Sequence, residues 1–370
     1  SVSVEMADCP WESEHYLALV GLQGKNLTKK DVPAQNLTFL LDVSGSMNAS
    51  DKLPLLKEGF KLLVNELTEK DRVAIVVYAG AAGAVLPPTS GKNKKKILAV
   101  FDNLRAGGST AGGAGIELAY KLAKDNFIKN GNNRVILATD GDFNVGVSSN
   151  DALVKLIEEK RKTGVFLSIL GFGNGGNYQD QKMEELSNHG NGNYAFIDNI
   201  QEAEKVLVKE MYGTLNTIAK DVKLQIEFNP KQVAGYRLIG YVNRVLAAED
   251  FNDDTKDAGE MGAGHSVTAL YEIVPMDNPD FRDVPTFTID FRYKEPTSDV
   301  STPLELLIFD EGYSFAEASD FMKWTASTAA FSMLLMESNY KGTCSYEKVS
   351  EWLNSTNLVD EHGFKNEFKS

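Results

Sequence analysis

The sequence predicts an α/β protein: a doubly wound, mostly parallel sheet inserted into an antiparallel β-sandwich, followed by a C-terminal helical segment. Three observations predict it. The runs Thr38–Val43, Arg72–Tyr78, Arg134–Thr139 and Val165–Leu170 are apolar on both parities, with helix-like segments between them. Strands buried on both faces and separated by helices belong to a parallel sheet between helix layers. After about residue 221 the rhythm changes to strict alternation, as in half-buried antiparallel strands. The first twenty-odd residues share that second rhythm, so they join the later strands and leave the α/β region as an insertion.

Taken in order, Val2, Val4 and Met6, then Tyr16, Ala18, Val20 and Leu22, mark two N-terminal strands. Lys52–Leu67 carries Leu55, Leu56, Phe60, Leu63, Val64 and Leu67 at helical spacing. Lys92, Lys94, Lys95 and Lys96 lead into Ile97, Leu98, Val100 and Phe101 and read as the solvated start of a helix. Gly115–Phe127 is helical through Ile116, Ala119, Tyr120 and Ala123, and Asp151 is placed to N-cap a helix bearing Leu153, Leu156 and Ile157. Asn130-Gly131, Asn174-Gly175 and Asn191-Gly192 are turns between elements. Val222, Leu224, Ile226 and Phe228 alternate with polar residues, as do Phe287, Ile289, Phe291 and Tyr293; segments 235–246, 266–274 and 303–310 are also strand-like. Ala318, Met322, Thr325, Ala329, Met333 and Met336 outline an amphipathic helix suited to close packing or, less simply, to docking on a partner or membrane. Segments 345–354 and 361–368 read as short helices. The expected domains are 1–30 (strands joining the sandwich), 31–215 (α/β), 216–312 (sandwich) and 313–370 (helical).

A 370-residue chain with 42% hydrophobic and 24% charged residues has the composition of a globular protein of two or three domains. A net charge of −14 argues against nucleic acid, whose phosphates call for concentrated Lys and Arg. The longest uncharged run, between Arg72 and Lys92, is broken by glycines, Pro87 and Pro88, so no transmembrane helix of about 20 apolar residues is expected. Cys9 and Cys344 do not make a disulfide scaffold and read as free buried thiols, although one bridge between them stays open. His15, His189, His265 and His362 show no zinc-ligand spacing; no signal peptide is visible, as is also expected of a secreted protein without its leader.

The chemistry concentrates at two strand ends. In an open α/β sheet, ligands bind beyond the carboxyl ends of the strands where the strand order reverses. Asp42 ends the first buried strand and Asp140 follows Arg134–Thr139. Counting Val85–Leu86 as a short edge strand gives the order 3-2-1-4-5-6, in which the first and fourth strands flank the reversal. Ser44 and Ser46 stand two apart on the loop after Asp42, and the glycine-rich loop from Gly107 to Gly113 adds Thr110. Five oxygen donors without nitrogen or sulfur suit Mg²⁺, with Ca²⁺ or Mn²⁺ possible.

Here a resemblance becomes specific. Asp42-Val43-Ser44-Gly45-Ser46 resembles the DxSxS metal-ion-dependent adhesion motif of von Willebrand factor A and integrin I-type domains, and Thr110 and Asp140 match that family's later threonine and aspartate. The resemblance implies a doubly wound domain. It also implies that Ser44, Ser46 and Thr110 ligate the metal directly, that Asp42 and Asp140 act through waters, and that a partner protein's Asp or Glu completes the shell. A closer resemblance runs along the whole chain, through segments such as Cys9-Pro10-Trp11-Glu12, Val76–Gly83 and Tyr236–Tyr241, to bacterial envelope proteins with such a domain and a C-terminal extension. It implies a cell-envelope or secreted location, with any lipoprotein signal lying upstream. No catalytic residue is expected.

Other readings of the same residues are weaker. A Mg²⁺-dependent phosphohydrolase could use Asp42 or Asp142, but Ser44 replaces the usual second Asp, and no Lys or Arg immediately flanks the motif to clamp a phosphate. A serine hydrolase would want G-x-S-x-G and a histidine; the stretch from Gly107 ends in Ala111. Gly171, Gly173 and Gly176 have dinucleotide-loop spacing but follow a late strand. Asp250, Asn252 and Asp254 open like a Ca²⁺ loop, yet Thr255 and Met261 stand where the glycine and the bidentate glutamate belong.

Overall fold

The computed structural model describes residues 1–27, 32–79, 81–108, 112–141, 150–174, 180–209, 216–240, 250–253, 258–277, 279, 283–296, 298, 300–360 and 363–370. The chain divides into two compact units, 25–220 with 259–265, and 1–24 with 221–258 and 266–370. The first is therefore inserted within the second.

The inserted unit is built on a six-stranded sheet. Its strands are β3 (Gln35–Asp42), β4 (Arg72–Ala79), β5 (Ala81–Ser90), β6 (Asn132–Thr139), β7 (Phe166–Phe172) and β8 (Tyr194–Ile197), in the order β5-β4-β3-β6-β7-β8. All pairs are parallel except β4 with β5. The expected short edge strand is thus ten residues long and antiparallel, with Pro87 and Pro88 tolerated because an edge strand leaves N–H positions unused. Every residue of β3 is buried, as its apolar character on both parities requires.

Leu37, Phe39 and Leu41 face one helix layer, formed by α1 (Leu53–Glu66), α2 (Lys94–Asn103) and α6 (Ile200–Glu204). Phe39, Phe60 and Phe101 lock that layer to the sheet, with Phe39–Phe60 centroids 4.6 Å apart and Phe60–Phe101 5.9 Å. Leu40 faces the other layer, where α3 (Gly112–Asp125), α4 (Asn150–Arg161) and α5 (Asp180–His189) supply Ile116, Tyr120, Leu153, Ile157, Met183 and Leu186. Helix α3 comes close because Gly115 has no side chain; a Cβ there would stand 3.1 Å from Leu40 Cδ1 and 3.2 Å from Tyr78 Cβ. Asp151, expected as an N-cap, instead lies within the first turn of α4, where its charge meets the positive end of the helix dipole.

The second unit carries two antiparallel sheets. One has the order β1-β2-β12-β10, from β1 (Val2–Asp8), β2 (Tyr16–Gln23), β10 (Val233–Ile239) and β12 (Ser266–Pro275). The other contains β9 (Thr217–Phe228), β13 (Phe287–Lys294) and β14 (Ser301–Ile308); the short β11 (Gly259–Gly262) falls in the 259–265 segment of the inserted unit. Met6, Ala18, Val20 and Ile273 meet Phe287 and Ile289 in the core between the sheets.

The opposite face of the first sheet is covered as well. Ala7, Leu17, Leu19 and Leu270 pack on Met322, Ala326, Ala330 and Met333 of α7 (Asp320–Leu335) and on Val349 and Leu353 of α8 (Tyr346–Asn354). Strand β2 is therefore buried on both faces, which Leu17 and Leu19 signal between the alternating positions. The buried face of α7 runs through Met322, Ala326, Ala330 and Met333; of the expected stripe Met322 and Met333 lie on it and Ala329 packs at its edge, whereas Met336 is exposed. A final short helix, α9, spans Phe364–Lys369.

Two buried ion groups stand in this unit. Glu272 accepts from Trp11 Nε1 (3.2 Å) and Arg237 Nε (3.0 Å), and its Oε1 lies 2.5 Å from His15 Nδ1. These bonds outweigh burial and hold the Glu272 carboxyl below its ordinary range. Asp221 pairs with Lys223 (3.4 Å) and Lys294 (2.8 Å), so Lys223 is buried where alternation alone would put it in solvent. Cys9 is buried and Cys344 half-buried, both as free thiols; burial pushes them up to about 12 and about 11 respectively, which keeps them protonated and unreactive.

Candidate metal-ion site

Strand β3 delivers Asp42 to the edge of the sheet between β4 and β6, the point of reversal. The chain then turns through a 3₁₀ segment, Gly45–Asn48, whose Met47 is buried and anchors the turn. Ser44 N donates to Asp42 Oδ1 at 2.8 Å, folding the loop back over its own aspartate. Asp42 Oδ2 accepts from Tyr78 Oη at 3.1 Å and from Thr139 Oγ1 at 3.2 Å. Tyr78 is the register partner of Asp42 on β4, and Thr139 ends β6, so both neighbouring strands hold the carboxylate.

The hydroxyls of Ser44 and Ser46 lie 3.0 Å apart. Asp140 follows β6 directly, and its carboxylate accepts from Lys52 Nζ at 2.8 Å. The glycine-rich loop is tied to the same place: Gly45 N donates to Gly108 O (3.1 Å) and Gly107 N to Val43 O (2.8 Å).

Of the five residues singled out from the sequence, the structure gathers Asp42, Ser44, Ser46 and Asp140 at one edge. Thr110 lies outside the described residues, as do Asp142, Gly175, Gly176, Asp254 and Thr255. Sequence reasoning missed Tyr78, Thr139 and Lys52. Tyr78 had a signal, since it ends an apolar run parallel to the one ending at Asp42. Lys52 had none beyond starting a helix. It lies ten residues beyond Asp42, so the expectation that no basic residue flanks the motif holds in the sequence but not in space.

The electrostatics favour a cation. Asp42 is fully buried, and burial raises its carboxyl above the ordinary range; hydrogen bonds from Ser44 pull it back, and the Asp140 charge pushes it further up. Burial first, and then the Asp42 charge, push the Tyr78 phenol well above its usual value, so it stays a donor. Among the described residues no cluster of three or more His, Cys, Asp or Glu is placed to hold a metal. An ion here would rest on hydroxyls as much as on carboxylates. That oxygen-only set fits a hard divalent ion such as Mg²⁺, which would relieve the cost of burying Asp42.

With that arrangement in view, comparison with known proteins is direct. Residues 36–209 match the von Willebrand factor type A domain family, and residues 213–370 match the family described as "Uncharacterized protein YfbK, C-terminal". This chain has a von Willebrand factor type A domain followed by a YfbK-type C-terminal region. It is 41% identical to "Uncharacterized protein YfbK" of Escherichia coli (strain K12), over 98% of this chain and 65% of that protein. It is 27% identical to "Uncharacterized protein sll0103" of Synechocystis, over 53% of this chain and 45% of that one. The chain thus spans less than two thirds of the length of either relative. Among solved structures, a von Willebrand factor type A protein from Catenulispora acidiphila superposes with a TM-score of 0.51 at 14% identity, covering 89% of this chain and 79% of that one. That likeness supports the fold. Among the described residues no helix is long and apolar enough to cross a membrane.

Proposed function

We propose that the von Willebrand factor type A domain of this chain is a metal-dependent protein-binding module of the bacterial cell envelope. Mg²⁺ would be held by Asp42, Ser44, Ser46, Thr110 and Asp140, with Ca²⁺ or Mn²⁺ as possible substitutes. The bound ion would supply an electrophilic centre for a carboxylate from a partner protein's Asp or Glu.

The observation that carries this reading is the environment of Asp42. It is a fully buried carboxylate, held from both neighbouring strands and set beside two serine hydroxyls 3.0 Å apart. Tyr78, Thr139 and the Ser44 N–H fix its orientation, and the Ser44–Ser46 turn adds neutral hydroxyl oxygens next to it. Neutral donors leave most of a bound ion's charge for an incoming carboxylate.

The same environment argues against Asp42 as a nucleophile in a phosphohydrolase. Both of its oxygens already accept hydrogen bonds, and none of its surface is open to substrate. The envelope location rests on the sequence resemblance, and fractionation of cells producing the protein would check it.

The binding reading is tested by affinity capture from envelope extract with Mg²⁺ or EDTA, using wild type and Ser46→Ala. A partner retained by wild type in Mg²⁺, and lost both with EDTA and with Ser46→Ala, is the expected result. A partner retained equally under all conditions would count against it.

A further inference from the structure

The cation nearest the site belongs to the protein itself. Lys52 is the residue before α1, and its Nζ donates to Asp140 Oδ2 at 2.8 Å. The Asp140 side chain is 3% exposed and that of Lys52 is 23% exposed. This is an ion pair drawn well into the protein, unlike a solvated surface contact.

Two features of the loop after β7 hold Lys52 there. Gly173 adopts φ +123°, and a Cβ on it would lie 3.1 Å from Lys52 Cε and 3.2 Å from Cγ. The lysine stem therefore lies along bare backbone that a larger residue would block. The next residue, Asn174, donates its N–H to Asp51 Oδ2 at 2.8 Å, which fastens that loop to the segment carrying Lys52.

Asp42 ends β3 and Asp140 follows the neighbouring β6, so the edge carries two carboxylates, and Lys52 places a positive charge against one of them. We propose that Lys52 is the resident counter-cation of the metal-free site, an ammonium that neutralises Asp140 and that a divalent ion must displace to bind. The proposal rests on the metal-binding reading above. Its consequences are opposite in the two states. Lys52 stabilises the protein without metal and weakens the affinity for metal, because the entering ion has to break the Lys52–Asp140 pair.

The test pairs two measurements on the full chain: calorimetric titration of Mg²⁺ into metal-stripped protein, and thermal unfolding with EDTA or saturating Mg²⁺. Wild type, Lys52→Met and Lys52→Arg are compared. Lys52→Met should bind Mg²⁺ about five- to tenfold more tightly than wild type. It should also melt lower than wild type in EDTA and recover in Mg²⁺. Lys52→Arg, which keeps the charge, should stay near wild type in both measurements. If wild type binds Mg²⁺ and Lys52→Met binds it equally or less tightly, the counter-cation role is overturned and the metal site stands. A melting deficit of the same size with and without Mg²⁺ would mean a merely structural lysine and also overturns it. Absence of Mg²⁺ binding in every variant overturns both readings together.

Discussion

At the scale of single residues, the site is a buried carboxylate made tolerable by its neighbours. Tyr78 donates to Asp42 from the adjacent strand, and its ring is fully buried against α3. Tyr78→Phe keeps the ring and removes the donor, so it should destabilise the α/β unit by about 1–2 kcal/mol. Urea unfolding would show this as a lower midpoint at unchanged slope; an unchanged midpoint would mean that the bond contributes nothing. The residues that could be read from the sequence were those whose chemistry is declared by position. Asp42 and Asp140 sit where apolar runs stop, and Ser44 and Ser46 repeat at spacing two. Lys52 could not be read that way. Its reach to Asp140 depends on the path of residues 45–52 and on Gly173, which lies more than a hundred positions later.

Elements repeat the lesson on a larger scale. The strands β3, β4, β6 and β7 were legible because burial on both faces demands apolar residues on both parities. Strand β2 obeys the same rule, with Leu17 and Leu19 facing α7 while Ala18 and Val20 face the second sheet. The alternation read from it captured only half of that. The face of α7 was read in part: Ala318, Met322 and Met333 are buried, but the helix is apolar nearly all round, and periodicity missed Ala326 and Ala330 and included the exposed Met336. The β1–β2 connection, β12 and β10 are also joined by the Glu272 group, which no spacing predicts because Trp11 and His15 lie more than two hundred residues before Arg237 and Glu272. The folded-state pKa of Glu272 is depressed, so its stabilisation is fully present above its unfolded value of about 4.5 and is lost as pH falls through the folded value. Glu272→Gln should therefore cost about 3 kcal/mol near pH 7, and much less once the pH has fallen through the depressed folded value. Unfolding curves of both proteins across that range would check it, and a pH-independent difference would contradict the assignment.

For the whole molecule, the order of segments matters most. The chain lays down β1 and β2, passes through residues 25–220 of the α/β unit, and only then supplies β10 and β12 of the sheet that β2 began, since β2 lies between β1 and β12. Deleting residues 1–24 removes both strands and Trp11, which is buried in the core beneath α7. The shortened chain should lose cooperative unfolding of the sandwich and keep that of the α/β unit. Differential scanning calorimetry would show one transition fewer, and a preserved sandwich transition would mean that the N-terminal strands are dispensable.

The insertion also means that the sheet edge carrying Asp42 belongs to one unit and the sandwich to the other, so the candidate site can be probed with the sandwich as an internal control. Titration of Mg²⁺ into metal-stripped wild type and Asp42→Ala by isothermal calorimetry tests the central claim most directly, with circular dichroism confirming that both proteins are folded. Saturable binding to wild type that is lost in folded Asp42→Ala is the predicted result; equal affinity in the two proteins would contradict the account.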